Sequence, residues 1–193
     1  LMNKFIALVG MCGSGKSVIA DELVKQGYNF FRFGQITLDI VKERGLEPLE
    51  ENERPIREEM RAKHGMGAYA TLNIPKVDKF LEEGNVVGDG LYSWSEYKIL
   101  REKYGDQLTV IAVYAPPHLR YKRLAARVLE AEDTDLRNRP ISEESANKRD
   151  SAEIENLEKG GPIAMADYTL VNTKTIPDLL DQFSKVMNEI GGK

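Results

Sequence analysis

The feature that most constrains the fold is a glycine-rich motif that directly follows a short apolar run. The apolar run is Phe5–Val9, and residues 10–17 read GMCGSGKS. Five consecutive apolar residues are typical of a strand buried on both faces, as in a parallel sheet. The motif matches G-x-x-x-x-G-K-S/T in full, a loop whose backbone N–H groups curl around phosphate oxygens. The two together predict a phosphate-binding loop between a buried strand and a helix.

The residue types in this loop indicate a nucleotide triphosphate. Lys16 is placed to reach the β- and γ-phosphates, and the Ser17 hydroxyl is placed to ligate Mg²⁺. The N-terminus of the helix that follows adds partial positive charge. We therefore expect ATP and Mg²⁺ as cofactors. The residues predicted to hold the nucleotide in this loop are Gly10, Gly13, Ser14, Gly15, Lys16, Ser17 and Val18.

The alternative interpretations of the loop are a chance glycine-rich turn and a GTP-specific switch. A chance turn is disfavoured because a buried strand precedes the loop and a helical pattern follows it. Guanine-specific switches usually carry Asn-Lys-x-Asp after a late strand. Here the chain reads Asn172-Thr173-Lys174-Thr175 at that place, which weakens the GTPase interpretation.

Strand and helix patterns alternate along the whole chain. Strands are predicted at 5–9, 28–33, 85–88, 108–114 and 168–171, with helical spacing between them. This alternation predicts a three-layer α/β/α fold with a five-stranded parallel sheet. We expect a single domain over 1–193, with a helical region at about 36–82 and a helical lid at about 130–159. In the lid segment 15 of 30 residues are charged, and a helix is predicted after Ser142.

Composition excludes several classes of protein. The 193 residues carry 27 Lys and Arg against 31 Asp and Glu, a net charge of -4, which argues against a general nucleic-acid or anionic-membrane binder. The single cysteine, Cys12, excludes an intramolecular disulfide and a cysteine-built metal site. No apolar run approaches the ~20 residues that cross a bilayer. We expect a cytoplasmic monomer or weak dimer whose partners are small molecules.

A group of arginines on the helix after the fourth strand indicates an anion site. Arg120, Arg123 and Arg127 are spaced i, i+3 and i+7, while Leu124 and Val128 mark a side that docks on the sheet. Guanidinium groups of this kind stabilise charge on a transferring phosphoryl group. The alternative is a solvated basic face. For Arg137, Arg139 and Arg149 in the lid, the solvated interpretation is favoured over a role in the site.

A second arginine group lies between strands two and three. Arg54, Arg57 and Arg61 share one helical face. We expect Arg57 and Arg61 to hold the anionic acceptor. The alternative is a surface helix with ion pairs at i and i+4, such as Arg54 with Glu58.

Asp89 follows strand three, between Gly88 and Gly90. A carboxylate at the C-terminal end of a parallel strand faces the ligand crevice, so Asp89 is predicted to support Mg²⁺ or the acceptor. The alternative is an ordinary Asp-Gly turn.

Taken together, these pieces resemble the nucleoside-monophosphate-kinase-like branch of P-loop kinases. Within it, the chain is most similar to dephospho-coenzyme A kinase and to an adenylate-kinase-related group. The resemblance implies a P-loop NTPase fold with a lid over ATP and an acceptor-binding helical region, which corresponds to about 36–82 here. The resemblance further implies that Arg123 and Arg127 lie near the ATP phosphates. It also implies that the loop beginning at Asn172 lies beside the adenine base, and that Gly34 belongs to the acceptor site.

One departure from that family bears on the acceptor. Dephospho-coenzyme A kinases carry an aspartate at the end of strand two that accepts the proton of the attacking hydroxyl, whereas this chain has Gln35 after Phe33 and Gly34. Glutamine is no base, and a phosphate acceptor needs none. The sequence therefore predicts transfer of the γ-phosphoryl group to a small, phosphorylated, nucleotide-like acceptor. The alternatives are a hydroxyl-directed kinase that uses Asp89 as the base, and a non-catalytic ATP-binding regulator.

Overall fold

Strands and helices alternate along the chain, and the computed structural model describes residues 2–128 and 140–191. The strands are β1 Phe5–Val9, β2 Asn29–Arg32, β3 Val86–Leu91, β4 Leu108–Tyr114 and β5 Tyr168–Val171. The helices are α1 Lys16–Lys25, α2 Gln35–Glu43, α3 Glu50–His64, α4 Ala68–Glu83, α5 Trp94–Tyr104, α6 Pro117–Ala125, α7 Glu143–Leu157, α8 Gly160–Ala164 and α9 Ile176–Gly191. Within the described ranges, no helix is both long enough and apolar enough to span a bilayer.

The five strands form one parallel sheet in the order β2-β3-β1-β4-β5. β1 lies at the centre, and Phe5 is in register with Val86 on one side and Leu108 on the other. All five residues of β1 are fully buried, which explains why the strand is a continuous apolar run. The predicted fold class, a three-layer α/β/α arrangement of the P-loop type, is confirmed.

Helices cover both faces of the sheet. Successive side chains of β1 point to opposite faces, so Phe5, Ala7 and Val9 pack in one cluster while Ile6 and Leu8 pack in the other. The first cluster includes residues of α4 and α5, and the second includes residues of α1 and α9. The central strand is therefore fixed from both sides, and so is the loop that leaves its C-terminal end.

The helical region between β2 and β3 has a small core of its own. It is built from α2, α3 and the beginning of α4, and its buried residues are Val41, Ile56, Met60, Ala68 and Tyr69. Residues 44–49 separate α2 from α3, and residues 65–67 separate α3 from α4. The acceptor-binding role of this region stays a prediction.

β3 is longer than the sequence predicts. The strand continues through Gly88, Asp89 and Gly90 to Leu91, so Asp89 lies on the strand, opposite Leu8 of β1, and does not form a turn after it. Glycines disfavour strands in general. Here a glycine is needed, because a Cβ on Gly88 would lie 2.7 Å from the ring of Phe31.

The helix that carries the arginine group is shorter than expected. α6 ends at Ala125, so Arg127 lies beyond it, and Val128 is 77% exposed and does not dock on the sheet as predicted. The carbonyl of Leu124 would accept from residue 128 in a continuing helix, but it accepts from the N–H of Ile141. Arg137, Arg139 and the first part of the predicted lid lie outside the described residues. The predicted lid helix is α7, with Ser142 as its N-cap.

Candidate active site

The loop between β1 and α1 adopts a conformation that requires glycine. Gly10, Gly13 and Gly15 have φ angles of +149°, +78° and +106°, which side-chain-bearing residues rarely adopt. A Cβ on Gly10 would also lie 2.4 Å from the carbonyl oxygen of Val113. The backbone therefore curls tightly over the C-terminal edge of the sheet, where ligands bind in open α/β folds.

Lys16 folds back over this loop. Its Nζ donates hydrogen bonds to the carbonyl oxygens of Gly10, at 2.8 Å, and Met11, at 3.3 Å. Burial lowers the pKa of Lys16, and the nearby positive charge of Lys159 lowers it further, while Asp89 acts in the opposite direction. The ammonium group thus lies over the loop, at the place where a polyphosphate would be gripped.

Asp89 and Ser17 carry the two side-chain oxygen groups that the sequence predicts for a divalent cation. Oδ1 of Asp89 is buried and has no hydrogen-bond partner within residues 2–128 and 140–191. Ser17 lies in the first turn of α1, directly after Lys16. Mg²⁺ is commonly bound by one or two protein oxygens together with substrate phosphates and waters, and these two residues fit that pattern.

Asn172 and Arg123 support the phosphate-binding loop through hydrogen bonds. The Asn172 side-chain amide donates to the carbonyl oxygen of Ser14 at 2.8 Å, and its own backbone carbonyl accepts from Nη2 of Arg123 at 3.0 Å. Nη1 of Arg123 is buried without a hydrogen-bond partner among the described residues. The contact of Asn172 with adenine and that of Arg123 with phosphate stay predictions, and both side chains already touch the loop or its support.

Arg120 has a structural role. Its guanidinium donates to the carbonyl oxygens of Ala115 and Cys12 and forms an ion pair with Asp150 of α7, with both partners nearly fully buried. Tyr121 also donates to Asp150. These bonds connect the phosphate-binding loop to the lid helix. The predicted role of Arg127, beyond the end of α6, stays a prediction.

The lid side contributes a group of charges that the sequence did not predict. Glu153 of α7 accepts from Arg149 at 3.0 Å and from Lys159, which lies just after the helix. Burial alone would raise the pKa of Glu153, but the charges of Lys159 and Arg149 outweigh it and lower the pKa to about 2. We call Lys16, Asp89, Arg149, Glu153 and Lys159 the crevice cluster. The Arg149 side chain is 37% exposed, so the solvated interpretation of this residue is neither confirmed nor overturned by its pair with Glu153.

The arginines of α3 differ in their surroundings. Arg54 pairs with Glu58, as in the surface interpretation, and Arg57 pairs with Glu50 and Glu53. Arg61 instead lies over the ring of Tyr69, 5.4 Å from its centroid, with its Nε buried and unpartnered among the described residues. Of the two predicted acceptor arginines, Arg61 is the one that faces inward, and the acceptor role of both stays a prediction.

Tyr92 joins the acceptor side to the crevice cluster. A Cβ on Gly34 would lie 3.1 Å from the Tyr92 hydroxyl, and the Tyr92 ring centroid is 4.9 Å from Nζ of Lys159. The N–H of Tyr92 donates to the fully buried Glu96. Burial raises the pKa of Glu96 to about 7, despite the hydrogen bonds that it accepts from the backbone of Tyr92 and Ser93.

Comparison with known proteins places this site in a family. A family model described as an AAA domain matches residues 6–157. A UPF0200 protein of Thermococcus onnurineus is 36% identical over 169 residues, which cover 86% of this chain and 87% of the relative. The chain belongs to the UPF0200 family. A second member, from Sulfurisphaera tokodaii, is 34% identical over 189 residues and covers 97% of each chain.

Solved structures similar to this UPF0200 protein include small P-loop kinases. Shikimate kinase from Aquifex aeolicus superposes with a TM-score of 0.52 and 19% identity, covering 95% of this chain and 96% of the other. A gluconokinase from Sinorhizobium meliloti superposes with a TM-score of 0.55 and 12% identity, covering 98% and 96%. At these identities the likeness is one of fold, and it confirms the predicted resemblance to P-loop kinases.

In this family member, no sequence pattern indicated that Glu153, Lys159, Tyr92 and Glu96 lie next to one another beside the candidate site. A charged pair at i and i+4, such as Arg149 and Glu153, is most often a surface pair. One sequence feature could have indicated this: the acidic segment ends in Gly160-Gly161-Pro162. In the structure, a Cβ on Gly161 would lie 2.9 Å from the Trp94 ring. A glycine that has to pack so closely indicates that the turn before it, with Lys159, is held against the body of the protein.

Proposed function

We propose that this protein is an ATP-dependent kinase that transfers the γ-phosphoryl group of Mg·ATP to a small, phosphorylated, nucleotide-like acceptor. The observation that carries the proposal is the crevice cluster beside the phosphate-binding loop, with Lys16 on one side and Arg149 and Lys159 on the other. Arg61 lies on the acceptor side, near the same buried Glu96 as Lys159. Cations from the loop, the lid and the helical region thus converge on one crevice.

The donor is held by the loop and by the first turn of α1. The backbone N–H groups of residues 10–18 surround the phosphates, and Lys16 exchanges its carbonyl partners for phosphate oxygens. Ser17 and Asp89 would hold Mg²⁺, which would supply positive charge to offset that of the β- and γ-phosphates. Asn172, hydrogen-bonded to the loop, begins the segment proposed to lie beside the adenine.

Transfer to a phosphate requires that the acceptor be positioned and that the charge on the migrating phosphoryl group be stabilised. It does not require a base. An oxygen of the acceptor phosphate attacks the γ-phosphorus, the bond from that phosphorus to the bridging oxygen breaks, and ADP leaves with the electron pair. Arg57, Arg61 and Gly34 are proposed to place the acceptor, and Arg123 and Arg127 to stabilise charge on the migrating group. Gln35 starts α2 at this place, and a phosphate anion is already a nucleophile.

The lid, proposed at about 130–159, excludes water. Water would otherwise accept the phosphoryl group in place of the acceptor. The ion pair between Arg120 and Asp150 ties α7 to the loop at Cys12, so the position of the lid helix and the shape of the loop are mechanically connected.

A hydroxyl-directed kinase, including dephospho-coenzyme A kinase, is the second candidate. The buried, unpartnered Oδ1 of Asp89 favours it, because such an oxygen can accept the proton of an attacking hydroxyl. Under this alternative Asp89 serves as the base that Gln35 cannot be.

The test is an acceptor screen with γ-labelled ATP and Mg²⁺. A product with a new pyrophosphate linkage supports the first candidate, and label on a ribose or other hydroxyl supports the second. Lys16→Ala should abolish transfer, and near-normal transfer by this variant would refute both. Tight ATP binding that no acceptor accelerates into turnover would instead identify a non-catalytic regulator.

A further inference from the structure

Lys159 is the most deeply buried cation of the crevice cluster. The residue is only 2% exposed, and it follows α7 directly, at a turn where Glu158 adopts a left-handed backbone with φ 52°. Lysine is almost never fully buried unless its charge is compensated, because removing an ammonium group from water is costly. A lysine held in this position therefore needs an explanation beyond packing.

The charge balance around Lys159 is incomplete. Its carboxylate partner, Glu153, is shared with Arg149, so two cations divide one anion. Lys159 is also close enough to Lys16 for its charge to lower the pKa of that lysine, although burial is the larger cause. In the crevice cluster, three cationic side chains share the two carboxylates of Asp89 and Glu153, and the nearby Glu96 adds less than a full negative charge because burial raises its pKa to about 7. Groups of like charge held together in a cleft are typical of sites built for an oppositely charged ligand.

Lys159 has neighbours on the acceptor side and on the donor side of the proposed site. Its ammonium lies over the Tyr92 ring, and the Tyr92 hydroxyl packs against Gly34, the N-cap of α2. Its carboxylate partner Glu153 lies on α7, the helix that the Arg120–Asp150 ion pair ties to the phosphate-binding loop at Cys12. The positive charge of Lys159 also acts on Lys16 of that loop.

We propose that Lys159 is a further catalytic residue, whose ammonium group binds the γ-phosphoryl group during transfer. The inference rests on the proposed kinase function and names one more group that acts at the same site. Glu153 then has a defined part: it neutralises Lys159 when no phosphate is present and competes with the triphosphate for it. Tyr92 supplies a cation–π contact that holds the ammonium without giving it a second fixed anion.

The inference is tested first by binding, with no need for an acceptor. Titration calorimetry compares a non-hydrolysable ATP analogue with ADP, both with Mg²⁺, for wild type, Lys159→Met, Lys159→Arg and Lys148→Met. Lys148 lies on the same helix in an exposed pair with Glu144 and serves as the matched control. We expect Lys159→Met to weaken the triphosphate analogue at least tenfold and ADP less than threefold, with Lys159→Arg intermediate and Lys148→Met unchanged. Equal loss for both nucleotides, or no loss, would overturn the inference.

Glu153→Gln provides a gain-of-affinity test that misfolding cannot imitate. Removal of the competing carboxylate should tighten the triphosphate analogue severalfold while ADP changes little, and adding Lys159→Met should cancel the gain. If Lys159→Met does not fold, Glu153→Gln is sufficient as a test. Unchanged or weaker triphosphate binding by Glu153→Gln would contradict the role of Lys159.

Turnover then separates this inference from the proposed function. Once an acceptor is known, Lys159→Met should lower kcat by about 10²-fold or more, as expected for the loss of one group that stabilises transition-state charge. A wild type that transfers phosphate while Lys159→Met keeps its kcat refutes the role of Lys159 alone. A wild type that binds the triphosphate through Lys159 yet phosphorylates no acceptor refutes the kinase function alone.

Discussion

At the residue scale, Gly15 and Gly27 show how backbone and packing effects can be separated. Both have positive φ, +106° and +88°, but a Cβ on Gly15 would lie 2.3 Å from Nδ2 of Asn172, whereas none of the described atoms comes within 4 Å of a Cβ on Gly27. Gly27→Ala therefore tests the backbone alone, at a cost of about 1 kcal/mol. Gly15→Ala adds the displacement of a buried asparagine.

We expect Gly15→Ala to lower the free energy of unfolding by at least about 1 kcal/mol more than Gly27→Ala, as overpacking of a filled site does. It should also weaken ATP binding, because Asn172 holds the carbonyl of Ser14. Urea denaturation and nucleotide titration of the two variants measure both effects. Equal destabilisation by the two substitutions would show that Asn172 does not support the loop.

Single residues also show which parts of the site could be predicted from the sequence and which could not. The glycines and Lys16 were predictable because their spacing is dictated by the phosphate group that they surround. Lys159 was not, since its burial depends on a turn after α7 and on Tyr92, 67 positions earlier in the chain. Arg57 was expected to contact the acceptor from its helical spacing; its side chain pairs with Glu50 and Glu53, and its role at the acceptor stays a prediction.

At the element scale, the N-terminus of α5 is closed by a buried acid. Ser93 and Glu96 form a capping box, and Glu96 is fully buried with a pKa raised to about 7. Between the ordinary value of 4.5 and about 7, the folded protein binds more protons than the unfolded chain. The contribution of Glu96 to stability is thus complete below pH 4.5 and is lost as the pH rises through about 7.

Glu96→Gln should remove this pH dependence, because glutamine keeps the capping oxygen but does not titrate. Relative to wild type, the free energy of unfolding of the variant should rise between pH 4.5 and 7.5 by up to roughly 3 kcal/mol. Urea denaturation at several pH values measures it, with Glu102→Gln on the exposed side of α5 as the control. Parallel pH profiles for wild type and Glu96→Gln would show that the acid is not desolvated.

The attachment of α7 to α6 depends on one buried ion pair. Asp150→Ala leaves the guanidinium of Arg120 without its carboxylate, and loss of one partner of a buried pair costs about 3–5 kcal/mol. Glu144→Ala removes an exposed pair on the same helix and should cost no more than about 1 kcal/mol. Thermal and urea unfolding compare the two. Similar small costs would mean that the pair does not hold the lid helix in place.

At the scale of the whole molecule, the fold was predictable from the sequence, whereas the exact bounds of the elements around the site were only partly predictable. An apolar run, a glycine-rich loop and alternating helical and strand periods admit few topologies, since parallel strands need helical crossovers. The extent of β3 was not predictable, because Gly88 and Gly90 look like a turn until Phe31 is known to pack against Gly88. Likewise, the end of α6 depends on a bond between Leu124 and Ile141 that no local pattern indicates.

Under the proposed function, both substrates would meet at the C-terminal edge of the sheet. Three parts of the chain, namely the loop, the lid helix and the helical region, are proposed to contribute positive charge there through Lys16, Arg149 and Arg61. A ligand that joins all three should stabilise the whole protein by mass action. Mg·ATP together with a true acceptor is thus expected to raise the melting temperature more than either alone.

The most direct measurement is calorimetric titration of the folded protein with Mg·ATP, with Lys16→Ala as the paired variant. We predict saturable one-to-one binding below millimolar nucleotide for the wild type and its loss in Lys16→Ala. A wild type whose loop takes up no nucleotide at millimolar concentration, while circular dichroism shows it folded, would contradict the nucleotide site and the kinase function built on it.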